Sequence, residues 1–162
     1  MNKAPHMLEL GFHYLKAAKL LENHRFMRNV SGVNAAIGVE ILLKSLIATP
    51  VKNQLIGTVA ENYELTRNQY THSLKRLISE IDNELICRLR IDVIFSDEDL
   101  DKYDSAFVKS RYLFEQGSVS FGTSRLRHCG ERLFKKIMDA YKAEGCSDPF
   151  VLSYSDSDWE VD

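Results

Sequence analysis

The stretch Asn34-Ala35-Ala36-Ile37-Gly38-Val39-Glu40-Ile41-Leu42-Leu43-Lys44-Ser45-Leu46-Ile47-Ala48 leaves a chain few ways to fold. Wound at 100° per residue, its apolar side chains cover most of a helix circumference and leave two narrow polar lines. One line is Asn34, Gly38 and Ser45, small residues that let another backbone come close. The other is Glu40 and Lys44, spaced i,i+4 with the acid on the N-terminal side, the better orientation for an ion pair. A helix apolar nearly all round belongs in the middle of a bundle. It is too short to span a membrane, and Lys44 interrupts it.

Around this helix, from about 28 to 48, the periodicity predicts four others. Leu8, Phe12, Leu15 and Leu21 mark a first helix over 5–23, with Pro5 suited to its first turn. A short connection then makes it antiparallel to the central helix, which stops before Thr49-Pro50 because a residue preceding proline disfavours helix. Segment 51–70 is the least patterned part of the body and reads as an inserted connection able to carry function. A third helix runs from 71 to about 90 on Leu74, Leu77, Ile78, Ile81, Leu85, Ile86 and Leu89, and 91–95 reads as a brief apolar linker. Ser96-Asp97-Glu98-Asp99 resembles a capping box opening a fourth helix that ends near Gln116-Gly117. Capping and the helix dipole account for the acidic cluster from Asp97 to Asp104 better than a metal site does. A fifth helix starts at Thr123 or Ser124 and stops before Gly145. The expected fold is all-α, an antiparallel up-and-down bundle of four to five helices over residues 1–145.

The net charge of −2 conceals an asymmetry. The tail, 146–162, carries Asp148, Asp156, Asp158, Glu160 and Asp162 and no Lys or Arg, and is expected to be mobile, with Phe150, Tyr154 and Trp159 able to dock. Without those five carboxylates, 21 basic residues face 18 acidic ones. Segment 109–136 concentrates this excess in Lys109, Arg111, Arg125, Arg127, Arg132, Lys135 and Lys136 against Glu115 and Glu131. Such local charge attracts phosphates, although most charge runs on helices are simply solvated faces. Three cysteines without C-x-x-C spacing indicate neither a disulfide framework nor zinc. No basic segment followed by an apolar one opens the chain, so no signal peptide, no membrane association and a cytoplasmic setting are expected. No cofactor motif is present: Gly-rich phosphate loops, H-E-x-x-H and G-x-S-x-G are all lacking.

Three signals occur in a set order: Ala35-x-x-x-x-Glu40-x-x-Leu43-Lys44-Ser45-Leu46, then His72-Ser73-Leu74, then Arg111-Tyr112-Leu113-Phe114-Glu115. Together, over roughly residues 5 to 143, the chain resembles the HEPN domain, in its nucleotidyltransferase-associated branch. Ser73 stands where that branch has the Asp of H-D-L, and Leu113 where it has the Pro of R-Y-P-x-E. The resemblance implies a helical bundle, commonly a homodimer, that binds nucleotide or RNA phosphates or a partner nucleotidyltransferase, in toxin–antitoxin or defence settings. It also implies an alternative, a metal-independent ribonuclease with an R-x4–6-H pair. In that chemistry Arg stabilises the charge developing on the scissile phosphate and His moves the proton of the 2′-hydroxyl or leaving oxygen.

Arg67-Asn68-Gln69-Tyr70-Thr71-His72 fits that pair literally, making Arg67 and His72 the candidate catalytic residues. Against it stands its position before the third helix, where His72 also suits a cap or a bond to a neighbour. A buried Glu40 needs a partner, so Glu40, Lys44, Arg111 and Glu115 are expected to form a structural polar cluster, with a phosphate pocket of Lys44 and Arg111 as the functional alternative. Arg125-x-x-His128 has the wrong spacing for the nuclease pair, and Cys129 at an apolar position reads as core.

Overall fold

The computed structural model of this chain describes residues 4–51, 62–66, 69–111 and 123–160. It is an all-α helical bundle. Three long helices, α1 (Pro5–Glu22), α2 (Arg28–Ser45) and α8 (Thr123–Ala143), form its core. Between α2 and α8 come the short helices α3 (Leu74–Ser79), α4 (Asn83–Leu89), α5 (Ile91–Ile94), α6 (Asp97–Tyr103) and α7 (Ala106–Arg111). A last helix, α9 (Pro149–Ser153), and a 3-10 turn over Asp156–Trp159 follow α8. No described helix is long and apolar enough to cross a membrane.

Helix α2 is the axis the apolar run calls for, packing against α1, α8, α3 and α7. The small-residue line works as expected at Gly38. A Cβ there would lie 2.8 Å from Leu15 Cγ and 3.1 Å from the Gly11 carbonyl oxygen, and a Cβ on Gly11 would strike Leu42 at 2.7 Å. The two glycines thus let the antiparallel α1 and α2 close on each other's leucines. Lower down, the buried Ser31 hydroxyl donates to the Ala18 carbonyl at 2.7 Å. Gly130 of α8 completes the junction, since its Cβ would meet Leu15 at 2.6 Å and Val39 at 2.9 Å.

Two predicted helices are broken. The third divides at Asp82, whose carboxylate accepts from the Glu84 amide at 2.8 Å and starts α4 afresh. The fourth divides after Tyr103, because the Asp104 carbonyl accepts from the Leu74 amide at 3.0 Å instead of serving a continuing helix. Asp104 Oδ1 also takes the Ser73 hydroxyl at 2.7 Å and the Lys75 amide at 2.8 Å, so the break clamps α3 to the α6–α7 corner. The linker 91–95 is mostly helical, with Ile91 and Ile94 buried as α5. Of 51–70, β2 (Tyr63–Glu64) pairs antiparallel with β1 (Thr49–Pro50), which lies just before that segment, in a two-residue ladder.

The tail is docked, against the expectation of mobility. Val151, Tyr154 and Trp159 are buried. The Trp159 ring meets Phe12 edge-on at 4.7 Å and Phe134 at 5.6 Å, and its indole N–H donates to the Tyr154 hydroxyl at 2.7 Å. Lys142 and Lys19 hold the carbonyls of Tyr154 and Trp159 at 2.9 and 3.0 Å. Acidity at the tail's surface therefore coexists with an aromatic face that carries enough apolar area to order it.

The capping box at Ser96 is present, with Asp99 returning a bond to the Ser96 amide. Asp99 also takes two nitrogens of Arg125 on α8, the Nε at 3.0 Å, which holds its carboxyl down at about 2. A folded-state value below the unfolded one near 3.9 gives stability that is complete above about pH 5 and lost as pH falls toward 2. Arg125 is half exposed, so screening limits the pair to about 1 kcal/mol. Asp99→Asn is expected to cost about that much at pH 6 and about half as much at pH 3, measured as the difference in urea unfolding free energy from wild type at each pH.

Candidate functional site

Glu40, Lys44 and His72 meet where α2 adjoins the start of α3 and α7. Glu40 sits on α2 with its side chain 10% exposed. Its Oε1 accepts from Lys44 Nζ at 2.7 Å, the i,i+4 pair read from the spacing. Its second partner comes from far along the chain: His72 Nδ1 lies 3.0 Å from both carboxylate oxygens. An ionised carboxylate only accepts, so the His72 proton facing it is on Nδ1, and Nε2 is left to act on whatever approaches from outside.

His72 is held by its surroundings as well as by Glu40. Its ring is tilted against Phe107 of α7, centroids 5.0 Å apart. Its chain position is fixed by Ser73, which caps α3 by accepting from the Arg76 amide at 3.1 Å and bonds to Asp104. Ser73 thus does the capping that the sequence allowed to His72, while His72 bonds to a neighbour across the fold. Just upstream, the buried Gln69 fixes the approach to His72: its side-chain carbonyl accepts from the Thr66 amide at 2.8 Å. The imidazole remains about half exposed, at 48% of its side-chain surface. One buried carboxylate therefore presents a primary ammonium and an oriented imidazole side by side at the protein surface.

Of the other expected members, Arg111 is the last residue of α7, the helix that packs on α2 and carries Phe107. Its side chain lies outside the described residues, as do Arg67 and Glu115. Of the expected Glu40–Lys44–Arg111–Glu115 cluster the described residues place only Glu40 beside Lys44, and the carboxylate's other described partner is His72. That pairing left no local signal, because 32 residues separate its partners.

The remaining candidates have structural roles. The Cys129 thiol is buried and donates to the Ile94 carbonyl at 3.2 Å, and burial pushes its pKa up to about 11, far from the thiolate a nucleophile needs. Arg127 is buried and joins α8 to α1 through Glu22, 2.8 Å from its Nε, with Glu131 on its other nitrogen. It also donates to His128 Nε2 at 2.9 Å. Arg125 and Arg127, two cations of the basic segment, are thus each matched to a carboxylate on another helix, Arg127 buried and Arg125 half exposed.

Comparison with known proteins finds no matching family model, no similar curated protein and no similar solved structure. The functional reading therefore stands on the residues themselves.

Proposed function

We propose that the chain is a HEPN-like helical module that binds the phosphate of a nucleotide or of RNA at the Glu40–Lys44–His72 cluster, with Arg111 joining from α7. The observation carrying this reading is the double use of Glu40. Its carboxylate fixes Lys44 and His72 together while both remain within reach of solvent, Lys44 at 15% and His72 at 48% of their side-chain surface. A phosphate arriving there accepts from the ammonium and from protonated His72 Nε2, both charge-assisted bonds. Glu40 compensates the two cations when the ligand is absent. The same reading carries a homodimer and a nucleotidyltransferase partner, which light scattering and co-purification would reveal.

Isothermal titration of AMP and of a short RNA into wild type, Lys44→Gln and His72→Gln tests the binding. Wild type is expected to bind at least one of them, and each variant to bind it on the order of tenfold more weakly. No binding by wild type, or equal binding by all three, removes the proposal.

The carboxylate–imidazole contact also favours a second reading, metal-independent RNA cleavage. In that chemistry Glu40 holds the His72 tautomer, Nε2 takes the 2′-hydroxyl proton, and Arg67 neutralises the phosphate. Cleavage of RNA in EDTA that is abolished in His72→Ala supports it; no cleavage, or cleavage unchanged in the variant, excludes it.

A further inference from the structure

A second concentration of cations lies away from Glu40. Where α4 passes into α5, Arg90 faces the outer side of α8, and between them runs a cleft of about 440 Å³. Arg132, Lys135 and Lys136, at i, i+3 and i+4 on α8, line one wall and Arg90 the other. Val93, about half exposed, and the buried Ile94 add apolar surface, and Asp139 adds one carboxylate. Lys135 is matched by Asp156 of the tail at 3.0 Å. Among the described residues, Arg90, Arg132 and Lys136 have no carboxylate partner. They contrast with Arg125 and Arg127 on the same helix, which are matched across helices.

The backbone fixes where Arg90 stands. Arg90 has φ 56° and ψ 41°, and among the described residues it is the only non-glycine with positive φ. This is the left-handed conformation that glycine or asparagine adopts far more readily. Arg90 is the residue that ends α4 in this conformation, so the helix stop and the arginine that lines the cleft coincide at one position.

We propose that this cleft binds a nucleotide-type phosphate ester, free or as one unit of an RNA strand. The guanidinium forks of Arg90 and Arg132 match the geometry of phosphate oxygens, and Lys136 adds a point charge. The volume accommodates a nucleotide-sized group, whose sugar or base rests on Val93. None of the lining residues belongs to the Glu40 cluster, so this site does not depend on the reading given for that cluster.

The test measures binding of a labelled eight-nucleotide RNA by anisotropy and of ADP by calorimetry. Wild type is compared with Arg90→Gly, with the double variant Arg132→Gln/Lys136→Gln, and with Lys44→Gln. Glycine suits φ 56°, so Arg90→Gly is expected to melt close to wild type; the double variant leaves that backbone untouched and carries the test if the first fails to fold. Both are expected to bind on the order of tenfold more weakly, with a shallower dependence of affinity on salt. Strong RNA binding with weak ADP binding identifies a strand as the ligand, and strong ADP binding identifies a free nucleotide. The proposal is overturned if wild type binds neither probe, if the two cleft variants bind as wild type does, or if a polyglutamate peptide binds as well as RNA. A loss confined to Lys44→Gln supports the α2 site and overturns this one.

Discussion

Glu40→Ala is expected to lower stability by about 3 kcal/mol, because it leaves the Lys44 ammonium largely buried without its counter-charge. For a domain of this size the melting temperature then falls by roughly 6–12 °C. Glu40 is 8% exposed, Lys44 Nζ lies 2.7 Å from its carboxylate and the Lys44 side chain is 15% exposed, so water replaces the lost partner only in part. The diagnostic comparison is the double variant Glu40→Ala/Lys44→Met. Removing both charges removes the unpaired ammonium, so the double variant is expected to be more stable than Glu40→Ala alone. Additive losses in calorimetric melting would show that the two residues act separately.

Trp159→Ala is the second large effect, expected to cost about 3–5 kcal/mol as other buried Trp truncations do. Trp159 is 6% exposed, stacks edge-on with Phe12 and Phe134, and bonds to Tyr154. It is also the single tryptophan of the chain, so its fluorescence reports the tail alone. Wild-type emission is expected to be blue-shifted and to move red in the same urea transition that melts the helices. A red-shifted emission in native buffer, or a tryptophan transition well before the helical one, would show a tail that is not part of the core.

What the chain revealed of itself follows the range of the interactions involved. The long helices α1, α2 and α8 were legible because each carries an apolar period over many turns. The Glu40–Lys44 pair and the Ser96–Asp99 box were legible because their partners are three or four residues apart. The breaks at Asp82 and Asp104 were hidden by apolar residues that keep helical spacing across them. Asp82-Asn83 was nonetheless a local cap signal inside the predicted third helix. At Asp104 the break depends on the Leu74 amide, about 30 residues away, and no local pattern announces it. The tail was misread because its carboxylates dominate its composition while Tyr154 and Trp159 dominate its energetics. At the candidate site, sequence supplied the Glu40–Lys44 pair and, separately, His72; their convergence depends on contacts far apart in the chain, including the clamp of α3 to the α6–α7 corner through Ser73 and Asp104. Arg90 gave no warning, since its left-handed backbone lies at a residue type that rarely adopts it.

The central claim is that Glu40 fixes His72 with its proton on Nδ1 and its Nε2 turned toward a phosphate. Nitrogen-resolved NMR of the histidine rings, recorded without ligand and again during additions of AMP, measures this directly. The expected spectrum shows the free His72 ring protonated at Nδ1, with Nε2 taking up a proton and its resonance moving saturably as AMP is added, and staying still in Lys44→Gln. An Nε2–H tautomer, or an Nε2 resonance that AMP leaves unmoved, would contradict it.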